Sequence, residues 1–175
     1  MSWNPILQMP EKSIVLNTGP ILALIAATGN LNILSKLYKK VVVTLEVKNE
    51  VCFGKNSRFA AKEFLESSFL RQINKTTEPS LLLKNMLDIG EASVIQCALD
   101  HKIDTVCIDE SVGRRVARLH DLKVTGSLGV LLKGKYAGLD IDIHESVNNM
   151  RNKGIFLSDN LVAKVIRMAD DLDKS

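Results

Sequence analysis

The stretch SIVLNTGPILALIAA at residues 13–27 sets the fold class. Residues 13–16 have the apolar, partly β-branched composition of a short buried strand, and Asn17 ends that run. Gly19 and Pro20 favour the start of a helix, because proline is tolerated in a first turn, and the apolar residues that follow continue it. A strand that passes directly into a helix is the opening unit of an α/β fold.

The same alternation continues to the end of the chain. The predicted strands are residues 13–16, 41–43, 69–73, 104–108 and 122–125. The predicted helices are one that starts at Gly19-Pro20, a short one capped at Asn30 or Asn32 and ending near Tyr38, one capped by Thr44 and ending near Gly54, and 57–67, 79–88, 90–101, 110–120, 127–137, 143–152 and 158–172. Strands that alternate with helices pair in parallel, so we predict a central parallel sheet with helices on both faces.

The length and composition indicate one globular domain. The chain has 175 residues, 46% of them hydrophobic and 25% charged, against a typical domain of about 150 residues. This composition excludes a disordered or fibrous protein. We predict an irregular lead-in over residues 1–12 and a single domain over 13–175 that includes the C-terminal helices. The apolar run at 21–27 is far shorter than the roughly 20 residues that span a bilayer, so we expect a cytoplasmic protein without membrane contact.

Cysteine and histidine offer no obvious site. The cysteines at 52, 97 and 107 form no CxxC pair and have apolar neighbours, which is typical of buried thiols in a reducing compartment. The three histidines lack metal-ligand spacing, so neither a zinc site nor a Cys–His nucleophile is indicated.

The net charge of +3 is too small to indicate by itself that the protein binds nucleic acid. Basic residues nevertheless concentrate in 36–62 and 110–135, and distribution matters more than the sum.

Three carboxylates fall where such a fold places its ligands, outside the carboxyl ends of the strands. Asp109 directly follows a predicted strand, with Glu110 beside it, and Glu91 begins a helix after Gly90. Glu50 lies well along the helix that begins at Thr44. Each has a simpler interpretation: acids in a first turn stabilise a helix start, and Glu50 is compatible with an exposed helix face.

If the three carboxylates converge, they form a site made of oxygen ligands. Hard cations such as Mg²⁺ and Mn²⁺ prefer that ligand set. A cation held there lowers the pKa of a bound water and stabilises charge on a phosphate oxygen. The chemistry that follows is hydrolysis of a phosphodiester.

Six segments carry a family resemblance, and they extend over almost the whole chain from Ser13 to the helix near Asp170. They are IVLNTGPILAL at 14–24, VTLEVKNEV at 43–51, GEASVIQCA at 90–98, CIDESVGRRVA at 107–117, VTGSLGVLL at 124–132 and GIFLSDNLV at 154–162. No single segment is specific, but their order and spacing together are. The chain resembles the PIN-domain family of metal-dependent nucleases, and within it a VapC-like branch whose members are often described only as predicted nucleic-acid-binding proteins.

The resemblance implies a role for each matching residue. It implies that the acids of the family fall on Asn17, Glu50, Glu91 and Asp109, with Glu110 beside the last. We therefore predict Glu50, Glu91 and Asp109 as catalytic residues and Asn17, Glu91, Asp109 and Glu110 as ligands of Mg²⁺ or Mn²⁺. Substrate contacts are predicted for Thr18, Lys48, Arg114 and Ser127, because these hydroxyl-bearing and basic residues border the same edge.

Asn17 departs from the family pattern. Strongly active members have Asp at this position, although Asn is common in the VapC-like branch. An amide oxygen still ligates a hard cation, but it carries no charge, so the affinity for the metal falls.

The first hypothesis for the function is a Mg²⁺- or Mn²⁺-dependent ribonuclease that is the toxin of a toxin–antitoxin pair, with an antitoxin protein as partner. The second is a PIN-like module, catalytically weak or inactive, that binds RNA or a protein.

A nucleotide-binding or phospho-receiver domain is a third hypothesis, but the chain has neither GxGxxG nor a Walker sequence, and its first strand ends in Asn rather than in an acidic pair.

The helices ILALIAA and SRFAAKEFLES offer more apolar surface than packing against one small sheet obviously requires. Since symmetric dimers are the commonest oligomers, we predict a homodimer.

Overall fold

The computed structural model describes residues 12–55 and 57–174, so the predicted lead-in lies outside the described residues except for Lys12. Within them the strands are β1 Ser13–Leu16, β2 Lys40–Val43, β3 Leu70–Gln72, β4 Thr105–Cys107 and β5 Lys123–Thr125. The helices are α1 Thr18–Thr28, α2 Asn32–Leu37, α3 Leu45–Phe53, α4 Ala61–Glu66, α5 Leu81–Met86, α6 Ile89–Asp100, α7 Ser111–Leu119, α8 Ser127–Tyr136, α9 Ile143–Asn152 and α10 Asp159–Asp173. The predicted α/β architecture is confirmed.

The five strands form one parallel sheet in the order β3-β2-β1-β4-β5. The chain runs outward from β1 to β3 on one side and returns to β4 and β5 on the other. The order of the strands therefore reverses between β1 and β4, where Val15 lies opposite Val106 and Leu16 opposite Cys107. In open α/β sheets, ligands bind in the crevice outside the carboxyl ends of the strands at this reversal.

Local capping explains where several helices begin. The side chains of Thr44, Ser80, Asp88, Asp142 and Ser158 each accept a hydrogen bond from the backbone N–H three residues later. This satisfies a donor that the first helical turn leaves unpaired. The cap predicted at Thr44 is confirmed.

Three predicted boundaries are wrong. The helix predicted at 57–67 begins only at Ala61, because residues 57–60 form a turn in which the N–H of Ala60 donates to the carbonyl of Ser57. The helix predicted at 79–88 is confined to Leu81–Met86 by the Ser80 cap and by extended backbone at Leu87. The residue at the cap position of α2 is Leu31, and the amide oxygen of Asn30 instead accepts from the N–H of Asn32.

The C-terminal helices pack on the rest of the molecule. Helix α9 packs against α1, and α10 packs against α8 and α9. The core is mostly aliphatic, with Phe64 and Tyr38 also buried, and β1, β2 and β4 contribute buried side chains. Cys97 and Cys107 are buried, whereas Cys52 is half-buried rather than buried as predicted; all three are free thiols. Among the helices of the described part, none combines the length and the apolar character that crossing a bilayer requires.

Candidate functional site

Backbone hydrogen bonds join the carboxyl ends of three strands at the β1–β4 reversal. The N–H of Asn17, just after β1, donates to the carbonyl of Cys107 at the end of β4 (3.0 Å). The N–H of Ile108 donates in turn to the carbonyl of Thr125 at the end of β5 (3.0 Å). These bonds fix Asn17 and the segment leading to Asp109 at one edge of the sheet.

Three oxygen-bearing side chains from different elements meet around Gly90. A Cβ atom built on Gly90 would lie 3.2 Å from Oε2 of Glu50, 3.4 Å from Oδ1 of Asp88 and 3.6 Å from Oδ1 of Asn17. The hydroxyl of Thr18 donates to Oε2 of Glu50 (2.6 Å), which ties α3 to the start of α1. The absence of a side chain at Gly90 therefore leaves room for this group of oxygens.

Glu91 is the buried carboxylate of the site. Its side chain is 6% exposed, and its Oε1 is buried without a hydrogen-bond partner among the described residues. A Cβ atom on Gly113 of α7 would lie only 2.5 Å from that Oε1, so α7 approaches Glu91 closely because residue 113 is glycine. Desolvation raises the pKa of Glu91 to about 7, and the negative charges of Asp88, Glu110 and Glu50 contribute in the same direction.

Asp109 belongs to a second group of contacts. Part of the residue is exposed at the edge, but its carboxyl packs against the start of α8, where its Oδ1 accepts from the N–H of Ser127 (2.8 Å). Arg114 donates from Nη1 to the carbonyl of Ile108 (2.8 Å). A Cβ on Gly126 would lie 2.6 Å from Oδ1 of Asp109 and 3.0 Å from Nη1 of Arg114, so the two side chains are neighbours. Desolvation raises the pKa of Asp109, and hydrogen bonds from Ser127 and the charge of Arg114 oppose the rise.

The structure divides the predicted site residues between these two groups. Asn17, Thr18, Glu50 and Glu91 lie in the first group, which Glu110 influences through its charge. Asp109, Arg114 and Ser127 form the second. Ser127 is 1% exposed, and its contact is with Asp109. Lys48 is half-buried on α3 and is not in a salt bridge with any described residue.

Asp88 also belongs to the first group of contacts, although the sequence did not indicate it. Asp88 caps α6, with its Oδ1 accepting from the N–H of Glu91 (2.8 Å), and the same oxygen faces Gly90. Its position three residues before Glu91 is that of an ordinary helix cap, so the spacing alone favoured a structural role. The sequence also did not indicate that Gly90, Gly113 and Gly126 allow side chains of other elements to approach closely. Such an approach depends on tertiary contacts, which local sequence does not show.

The acids of the site form no salt bridges among the described residues. This is true of Glu50, Asp88, Glu91, Asp109 and Glu110. In the same part of the chain, no three His, Cys, Asp or Glu side chains are arranged as a group that could hold a metal ion. Carboxylate and amide oxygens are nevertheless the donors that hard cations prefer, and a buried carboxylate oxygen without a partner favours either a proton or a cation.

Stability should fall with rising pH when no cation is present. Glu91 has a pKa near 4.5 when unfolded and about 7 in the fold, so between these values the folded protein binds more protons than the unfolded chain. The resulting stabilisation is complete below the lower value and is lost as the pH rises through the higher one. We expect the melting temperature in chelator to decrease from pH 5 to pH 8. In Glu91→Gln the decrease should be smaller, and an equal decrease would show that other groups cause it.

The comparisons with known proteins give the family. A family model described as a PIN domain matches residues 13–171, which is most of the chain. None of the curated proteins matches it. The match includes every strand of the parallel sheet and every residue of both groups around the β1–β4 reversal. The chain therefore belongs to the PIN domain family, which has a nuclease-type fold.

Proposed function

We propose that this protein is an endoribonuclease that depends on Mg²⁺ or Mn²⁺ and hydrolyses phosphodiester bonds of RNA. One observation carries the proposal: the unpaired, buried carboxylate of Glu91 is surrounded by the negative charges of Asp88, Glu110 and Glu50. Such a group of like charges is unfavourable unless protons or cations neutralise it. Its place at the reversal of a parallel sheet is the place where this class of fold binds ligands.

The donor set fits a divalent cation chemically. Asn17, Glu50, Asp88 and Glu91 would hold it after side-chain movement brings their oxygens together, since their described positions do not form a metal-binding group. Asp109 and Glu110 lie at the border of the site. When bound, the cation supplies a water of lowered pKa and stabilises negative charge on the phosphate. Because the pKa of Glu91 is about 7, part of the protein carries a proton on this carboxyl at neutral pH. Cation binding requires that the carboxyl lose this proton.

The residues of the chain divide the remaining tasks. Glu50 is exposed and its Oε2 is held by the Thr18 hydroxyl, so this carboxylate is oriented to accept a proton from the attacking water. The water oxygen forms the new bond to phosphorus and the bond to the leaving ribose oxygen breaks. That oxygen takes a proton from the solvent, so the products are a phosphomonoester and a free ribose hydroxyl. Arg114 keeps the end of β4 and Asp109 in position, and its charge, with that of Lys48, attracts the phosphate backbone.

A second candidate function is a PIN module that binds RNA or a protein without efficient cleavage. Two observations favour it. Asn17 supplies no charge where an acid would strengthen cation binding, and the carboxylates of the described residues are not gathered into a metal-binding group. The toxin role, the antitoxin partner and the VapC-like branch rest on the resemblance alone, and we propose them on that basis together with a cytoplasmic location and a homodimeric state.

The substitution Asn17→Asp tests the proposal. It adds a negative charge beside Glu50 and Asp88, so in chelator we expect a lower melting temperature than for the wild type. With Mn²⁺ the same charge completes the anionic ligand set, and a ligand that binds only the folded protein stabilises it by mass action. We therefore expect a larger Mn²⁺-induced rise in melting temperature and faster cleavage of a fluorescent RNA.

The control is Asp109→Asn, which we expect to abolish cleavage and to reduce the response to Mn²⁺. Melting series with chelator, Mg²⁺ and Mn²⁺ are recorded for the wild type and both variants beside the cleavage assay. If Asn17→Asp gains no metal response, residue 17 does not face a cation. If, in addition, none of the proteins cleaves RNA, the binding-module function is the better conclusion.

A further inference from the structure

A cavity lies between the end of α1 and the start of α9. Its volume is about 480 Å³, and it is lined by residues 26–29, residues 140–142, Glu145, Ser146 and Asn149. Cavities of this size hold small ligands. Helix α1 begins with Thr18 at the acidic group and ends with Thr28 beside the cavity, a rise of about 15 Å along the helix axis. The cavity is therefore separate from the candidate site.

Three carboxylates without salt bridges line this cavity. They belong to Asp140, Asp142 and Glu145, which are exposed, and none of them is in a salt bridge with a described residue. Oδ1 of Asp142 accepts from the N–H of Glu145 (2.9 Å), which holds this carboxylate at the start of α9. Like charges brought together are unfavourable, so a cation that binds between them is favoured.

The acids of a neighbouring cavity have partners within the protein. This cavity of about 250 Å³ shares residues 140–142 with the larger one. Asp173 forms a salt bridge with Lys135 (2.7 Å), and Asp170 lies 3.1 Å from Nε2 of His144. The negative charge that has no partner among the described residues therefore faces the larger cavity.

Ser146 is a buried polar residue that lines the larger cavity. Its exposed fraction is 4%, and its hydroxyl forms no hydrogen bond with another described residue. The neighbouring Asn149 differs, because its Nδ2 donates to the carbonyl of Ala27 (3.1 Å). Buried hydroxyls in proteins are normally paired. An unpaired hydroxyl in the wall of an acidic cavity favours a ligand that carries its own hydrogen-bond donors.

The end of α1 adds further acceptors and apolar contacts. The last turn of a helix leaves carbonyl oxygens without intrahelical partners and carries a partial negative charge. Beside these oxygens the cavity wall contains the aliphatic side chains of Ala26, Ala27 and Ile141. The cavity therefore combines separated negative groups with an apolar surface.

This combination matches an organic cation better than a metal ion. A metal ion requires several oxygens gathered within its small coordination sphere, and in the described part of the chain no three His, Cys, Asp or Glu side chains form such a group. An aliphatic amine spreads its ammonium groups along a chain, so it can reach carboxylates that do not converge. Its methylene groups pack against apolar side chains.

We propose that this cavity binds a small aliphatic polyamine, a chain of methylene groups that joins two or more ammonium groups. The ammonium groups donate to the carboxylates of Asp140, Asp142 and Glu145, and the hydroxyl of Ser146 accepts a further hydrogen bond. The methylene groups lie against Ile141 and the end of α1. This inference does not depend on the proposed function, because the cavity and the acidic group lie at opposite ends of α1.

The test titrates metal-free, full-length protein with spermidine by calorimetry, in the absence of RNA. We expect saturable binding at one site, and much weaker binding of butylamine, whose single ammonium reaches fewer carboxylates. Asp140→Asn and Glu145→Gln should each weaken spermidine binding about tenfold or more, and Ser146→Ala about threefold or more. Glu66→Gln is the matched control. It removes the same charge from an exposed helical position outside the cavity and should leave the affinity unchanged.

Four outcomes would overturn the proposal. The first is an unchanged affinity for spermidine in Asp140→Asn and Glu145→Gln. The second is a loss of binding in Glu91→Gln but not in the cavity variants, which would place the amine at the acidic group. The third is an equal rise in melting temperature with MgCl₂ at the same concentration, which would show that any cation suffices. The fourth is tighter binding of N-acetyl-arginine amide than of spermidine, which would assign the cavity to an arginine of a protein partner.

Discussion

Replacing Glu91 by glutamine should reduce metal-dependent RNA cleavage by about 100-fold or more, the loss typical of removing a group that handles charge or protons during the reaction. The substitution keeps the size of the side chain and removes its charge. It deletes the central carboxylate of the acidic group, the one whose pKa is raised to about 7 by desolvation and by Asp88, Glu110 and Glu50. Single-turnover cleavage at saturating Mn²⁺ measures the effect.

The melting temperature of Glu91→Gln shows whether a loss of cleavage comes from the missing carboxylate or from unfolding of the protein. In chelator at pH 8, wild-type Glu91 is ionised at an unfavourable site, so Glu91→Gln should melt at the same or a higher temperature than the wild type. The matched control is Asp100→Asn at the far end of α6, where the carboxylate accepts from Gln96 (2.9 Å). That variant should cleave normally. Wild-type rates in Glu91→Gln would remove Glu91 from the catalytic group and with it the main support for the proposed function.

Gly113→Ala should lower cleavage by about 10- to 100-fold although it touches no substrate, because small displacements of a catalytic group are costly. Its new Cβ would lie 2.5 Å from Oε1 of Glu91 and 3.0 Å from Cγ2 of Ile108. The end of the flexible Glu91 side chain yields more easily than the backbone of α7. The carboxylate is therefore pushed away from its position, while the helix itself gains from alanine.

Gly19→Ala is the matched control for this prediction. Residue 19 is also a helical glycine beside the site, but a Cβ there would meet no atom within 4 Å. Cleavage should be unchanged in Gly19→Ala and reduced in Gly113→Ala, with both proteins folded by circular dichroism. Equal activities in the two variants would mean that the position of Glu91 does not limit the reaction.

Much of the fold could be predicted from local pattern. Each predicted strand is present. Short apolar runs that are bounded by Asn, Asp and Gly and separated by segments of helical periodicity rarely form anything other than strands. Predicted boundaries were wrong where turns resemble helices, as at residues 57–60. Their composition is helical, but the hydroxyl of Ser57 donates to the carbonyl of Glu50 in α3. A contact between segments decided that boundary, and local composition does not record it.

The sequence supplied candidate site residues but not their geometry. The placement of Asp109 after a strand, of Glu91 at a helix start and of Glu50 within a helix followed from the sequence. Their division into a group around Gly90 and Gly113 and another around Gly126 did not. Asp88 was missed because a helix cap and a site carboxylate look the same in sequence, and the two roles coincide in one oxygen.

By itself the sequence determined the alternation of strands and helices, the family resemblance and the positions of the acids, because these depend on local periodicity and on the order of motifs. Only the tertiary structure decided which side chains meet. The strand order β3-β2-β1-β4-β5 brings Asn17 beside Cys107, and the glycines at 90, 113 and 126 let α3, α7 and α8 approach the carboxylates. The exposure of Phe53 and Phe156 was likewise invisible in the sequence, since a phenylalanine is normally assigned to the core and only packing shows that it is left outside.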